Sequence, residues 1–123
     1  MGAINVGGGR GPWVVAGWAF RGYLDQVLAE VRGDPALAST VEEALALKGL
    51  HLPLTDPAVV RRLVPVLLRV ADEVVRGARP VRADGRLLDD VSQEQFRHAV
   101  AELRAILDSQ VGFAAGAKDR IRP

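Results

Sequence analysis

The chain has 123 residues, 49% of them apolar and 25% charged, which is the balance of a single globular domain able to bury about two-thirds of the surface its unfolded chain exposes. A net charge of +1 excludes attraction to polyanions or membrane surfaces by bulk charge alone. With no cysteine the chain can have no disulfide, thiolate metal site or cysteine nucleophile, and it suits a reducing compartment; the expected location is the cytoplasm.

Arginine supplies 14 of the 16 basic residues, and alanine, valine, leucine and glycine are abundant. This reads as the codon bias of a GC-rich bacterial genome, so the arginine count is no argument for nucleic-acid binding.

Residues 1–12, MGAINVGGGRGP, contain five glycines and no periodicity, and read as a flexible arm. GGGRG lacks the spacing of a phosphate-binding loop and follows no convincing strand. Arg10 precedes a short apolar run, but Arg21 follows it without a small-x-small cleavage site, so a secretory signal is not expected. That run, Trp13 to Phe20, is far shorter than the ~20 residues needed to span a bilayer.

Trp13, Trp18 and Phe20 are three of the chain's six aromatics, crowded into eight residues with Val14 and Val15. They suit a short extended segment leading into the first helix. Two readings follow: the arm folds back onto its own core, or it inserts into another chain, since tryptophan is enriched at interface hot spots. The interface reading takes Trp13, Val15, Trp18 and Phe20 as its contact residues.

A first amphipathic helix is predicted over 18–32. Phe20, Leu24, Val27, Leu28 and Val31 share its apolar face, Tyr23 flanks that face and Gly33 ends the helix. A second helix, 35–48, starts at Asp34-Pro35, carries Leu37, Val41, Ala44 and Leu45, and closes at Gly49. Residues 49–55, GLHLPLT, are expected as an apolar loop lying across the core.

The third helix, 57–76, organises the chain. Asp56 is a good N-cap, Pro57 a good first residue and Gly77 a good left-handed terminator. Val60, Leu63, Val64, Leu67, Val70, Ala71, Val74 and Val75 share one face, and Val59, Val66 and Leu68 widen it past half the circumference. A surface helix needs a stripe of only about 100°, so this one is expected to be covered on two or more sides. Pro65 falls on its polar side, where a bend and not a break is expected. The polar strip holds Arg62, Arg69 and Arg76, with Arg69–Glu73 and Asp72–Arg76 at four-residue spacing, worth ~0.2–0.5 kcal/mol each. It reads as a salt-bridged solvated face, or else as a basic stripe for phosphate or an acidic partner.

Asp84-Gly85 is a hairpin-turn signal, so a small ribbon is expected within 81–88. Helix, Asp-Gly-x-Leu, helix also outlines an EF-hand. With Gly85 as the sixth loop residue, however, Pro80, Arg82 and Val91 fall where calcium needs oxygen ligands.

The fourth helix, 92–111, is expected to start with a Ser92–Gln95 capping box and end at Gly112. Phe96, Ala99, Val100, Leu103, Ile106, Leu107 and Val111 form its apolar face. The tail from Phe113 suits a short turn around 114–117 and a basic end. Glu94, His98 and Glu102 share the polar face, but one imidazole on one helix makes a poor metal site. Asp89-Asp90 and Glu42-Glu43 suit helix N-terminal ends and lack partners for acid–base work.

The fold expectation is all-α: one domain with four main helices, residues 1–17 as an arm and 18–123 as the helical domain. No cofactor, metal or catalytic set is read from the sequence. The functional expectation is a small interaction or structural protein, a subunit or adaptor in a homo-oligomer or larger bacterial assembly, whose partner is another protein or a second copy. One alternative is a nucleic-acid binder using Arg61 to Arg86, where seven arginines face three acids. No aromatic is interleaved there for base stacking, so nucleic acid is not the expected partner. Another alternative is a ligand- or metal-binding bundle.

Overall fold

The computed structural model describes residues 1–7 and 11–121, from 110 onward as backbone alone. Arg10, the side chain of Val111 and the side chains of the basic tail therefore lie outside the described residues. Four helices carry most of the chain: α1 (Gly17–Val31), α2 (Pro35–Leu47), α3 (Pro57–Val75) and α4 (Asp90–Ile121). Two small sheets accompany them, so the architecture is mostly helical and not all-α.

The first sheet is built from β1 (Gly2–Asn5), β2 (Trp13–Val15) and β3 (Gly49–His51), in the order β2–β1–β3. β1 runs antiparallel to β2 and parallel to β3. The register sets Trp13, Ile4 and Leu50 in one row across the sheet, and all three are buried. Alternation follows directly: Trp13 faces in, Val14 out, and Val15 is half-buried. The segment read as an arm thus contributes two strands and two core side chains, Ile4 and Trp13. The expected loop 49–55 begins as β3 and continues as a short 3-10 turn, Leu52–Leu54.

α3 packs against α1, α2 and α4, which is the coverage its wide apolar face requires. Leu63, Leu67, Val70, Ala71 and Val74 are buried, and the helix runs unbroken through Pro65. The Asp34 and Asp56 carboxylates accept from the N–H groups of Leu37 and Ala58, as helix caps should. Three boundaries differ from expectation. Lys48, one residue before Gly49, takes the left-handed position that ends α2, because Gly49 is already paired with Ala3 in the sheet. Asp89, not Ser92, caps α4: its carboxylate accepts from the Ser92 N–H at 2.7 Å. Gly112 does not end α4, and Gly116 lies inside it too, since each interior glycine costs only ~1 kcal/mol and the alanines around them favour helix.

The predicted ribbon is present as β4 (Arg82–Ala83) and β5 (Arg86–Leu87). Asp84 and Gly85 both have positive φ, 52° and 76°, as a tight two-residue hairpin turn requires.

Candidate functional site

The four aromatic and apolar residues singled out at the N-terminus divide between core and surface. Trp13 is 2% exposed; its indole N–H donates to the Ala99 carbonyl of α4 at 2.8 Å. Its ring meets Tyr23 edge-on, with centroids 5.9 Å apart. Phe20 is buried in the same cluster and Val15 is half-buried. Trp18 alone reaches solvent, at 37% exposure, with its ring leaning on Phe96 at 6.4 Å. Because α1 begins at Gly17, Ala19 and Phe20 turn inward while Trp18 stays on the rim.

Trp18 lines a groove of about 710 Å³. One wall is the start of α1, with Arg21 and Asp25; the other is the ribbon from Arg82 to Gly85; Met1 and Lys48 line it as well. Arg21, Lys48, Arg79 and Arg82 outnumber Asp25 and Asp84, so the groove leans basic.

Gln93 of α4 holds the ribbon wall in place. Its Oε1 accepts from the Val81 N–H at 2.8 Å, and its Nε2 donates to the carbonyls of Val81 at 2.8 Å and Leu88 at 3.2 Å. Gln26 of α1 donates to the Pro80 carbonyl at 3.3 Å, while its buried Oε1 has no partner among the described residues. Gly22 makes the close approach possible: a Cβ there would stand 2.5 Å from Val81 Cγ2.

The basic stripe is tied down by carboxylates, those of Asp34 and Glu30 from neighbouring elements and that of Asp72 from α3 itself. Arg62 pairs with Asp34 at 2.5 Å, Arg69 with Glu30 at 3.2 Å and Arg76 with Asp72 at 3.1 Å. Asp72 also meets Arg104 of α4 at 3.2 Å. The Arg69–Glu73 pair read from the spacing is replaced: Arg69 reaches across to α1, and Glu73 binds Arg79 at 2.5 Å. Arg79 also bonds Glu30, and this bond, with the charge of Arg69 beside it, holds the Glu30 carboxyl below its ordinary range.

His98 is exposed, 4.0 Å from Glu102. No group of three or more histidine, aspartate or glutamate side chains able to hold a metal ion occurs among the described residues. No described helix is long and apolar enough to cross a membrane.

Sequence reasoning missed Gln93 and placed Tyr23 only at the flank of the α1 apolar face, whereas it is fully buried. Gln93 gave no signal, because its partners are backbone groups of a loop. Tyr23 did give one: with Val27 and Val31 it forms a four-residue stripe that points inward.

What the fold and groove define is a mostly helical domain with one exposed tryptophan on a basic-leaning cleft. No protein-family model, curated protein or solved structure matches the chain.

Proposed function

We propose that this is a small non-catalytic interaction protein, a cytoplasmic subunit or adaptor in a homo-oligomer or larger bacterial assembly, and that it docks through the Trp18 face. One observation carries the reading: of the chain's two tryptophans, Trp13 is satisfied inside while Trp18 is left on the rim of a groove. Tryptophan joins large apolar area to a hydrogen-bond donor, and interfaces draw their strongest contacts from such residues. Met1, 82% exposed beside it, adds a flexible apolar side chain that adapts to a partner.

Nucleic acid is the weaker reading. Arg62, Arg69, Arg76 and Arg79 each already hold a carboxylate, so four of the seven arginines of the stretch are already engaged before any phosphate is met.

The test compares wild type with Trp18→Ser for molar mass by light scattering and for proteins co-purified from the source cell. Loss of self-association or of one specific partner, at unchanged melting temperature, supports the reading. Identical mass and an identical set of co-purified proteins contradict it.

A further inference from the structure

We propose that a second groove, between the end of α2 and the start of α3, is a docking site for an extended, cationic amphipathic segment of a partner protein. This groove is about 430 Å³ and shares no lining residue with the Trp18 groove. The proposal therefore stands or falls independently of the Trp18 face.

Three observations converge on that occupant. The first is exposed apolar surface. Leu54 is 85% exposed and Leu47 71%, and both line this one groove with the half-buried Val59. Leu47 is the last residue of α2 and Leu54 the last of the 3-10 turn, so neither is positioned to turn into the core. Apart from Met1 these are the most exposed large apolar side chains among the described residues, and paired exposure of this kind marks an interaction surface.

The second is charge. The chain carries a net +1, yet among the described residues the only formally charged side chains lining this groove are Glu43 and Asp56. Glu43 has no ion pair among the described residues. Asp56 uses Oδ1 to cap α3, accepting from Ala58 N–H at 2.9 Å, and has its second oxygen unengaged among those residues. The complement is lysine or arginine beside apolar anchors. Phosphate-bearing surfaces, whether nucleic acid or anionic lipid, are repelled by the same two carboxylates.

The third is backbone. β3 is an outer strand of its sheet and lines the groove through Gly49, Leu50 and His51. An extended segment laid along it would pair with the main chain that β1 leaves free, apart from the His51 carbonyl, which already accepts from Thr55 Oγ1 at 2.8 Å. Its alternate side chains then meet the two leucines on one side and the carboxylates on the other.

The experiment is an anisotropy titration of the full chain with a dye-labelled peptide of alternating leucine and lysine. A peptide of alternating leucine and glutamate serves as control. The lysine peptide is expected to saturate. The double variant Leu47→Ser/Leu54→Ser should weaken it at least about tenfold. Glu43→Gln should weaken it several-fold and flatten its dependence on salt. Trp18→Ser should leave the affinity unchanged. Both leucines are exposed, so the melting temperature of the double variant checks that its fold is kept. Absence of saturable binding, equal affinity for the glutamate peptide, or equal affinity in the double variant would overturn the proposal. A wild-type dimer that Leu54→Ser dissolves would overturn it too, by giving the groove to a second copy.

Discussion

Tyr23 of α1 donates its hydroxyl proton to the backbone carbonyl of Leu67, midway along α3, at 2.7 Å. Both residues are fully buried, so the bond ties α1 to the central helix inside the core. Tyr23→Phe should cost about 0.5–1.5 kcal/mol, the net worth of one such bond, and Tyr23→Ala about 3–5 kcal/mol through the cavity. Urea unfolding measures both.

The same burial pushes the Tyr23 phenol well above its ordinary range. The folded state keeps the proton while the unfolded chain gives it up, so Tyr23 supports folding fully below the ordinary tyrosine range and progressively less above it. It is the only tyrosine, so phenolate absorbance reports it alone. Ionisation should coincide with unfolding; a smooth titration of the folded protein would contradict this burial.

Gly22 gives a prediction against helix propensity. Glycine to alanine inside a helix normally stabilises by up to about 1 kcal/mol. Here the new Cβ would stand 2.5 Å from Val81 Cγ2, so Gly22→Ala should destabilise by about 1–3 kcal/mol. Adding Val81→Ala should recover part of the clash, giving a non-additive double-mutant cycle.

Gln93→Ala should release the ribbon. Three hydrogen bonds to Val81 and Leu88 go with it, for an expected loss of about 1–3 kcal/mol. Amide exchange should rise at Val81 and through Arg82–Leu87, while the core of α3 keeps its protection.

Glu30, held below its ordinary range by Arg79 and Arg69, supports stability above that range and loses its contribution as pH falls through it. Glu30→Gln should therefore flatten the acid limb of the stability curve, changing neutral stability by about 1 kcal/mol or less because both pairs keep contact with solvent.

The helices were legible because their signals are local. Asp34-Pro35, Asp56-Pro57 and Asp84-Gly85 each carry their geometry within a few residues, and the apolar period of α3 implies its central place. The first sheet was not. β1 pairs with β3 across more than forty residues of chain, and strands of three or four residues are too short to show a period. The β1–β2 pairing decides Trp13, whose inward place follows from sitting opposite Ile4. Arg69 shows the same limit in electrostatics. A carboxylate four residues away was visible in the sequence, but the helix crossing supplied Glu30 instead. The Leu47–Leu54 groove also went unread, because it forms only when the end of α2 and the 3-10 turn come together.

The central claim is that Trp18 is covered by another chain when the protein works. It is tested most directly on Trp13→Phe protein, which leaves Trp18 as the only tryptophan. That substitution should itself cost about 1–3 kcal/mol by removing the bond to Ala99. Acrylamide quenching of the remaining emission is then measured in the assembly as purified from the cell and again after extensive dilution. The account predicts blue-shifted emission shielded from acrylamide in the assembly, turning red and readily quenched as it dissociates. Emission that is red and fully quenchable in both states would contradict it.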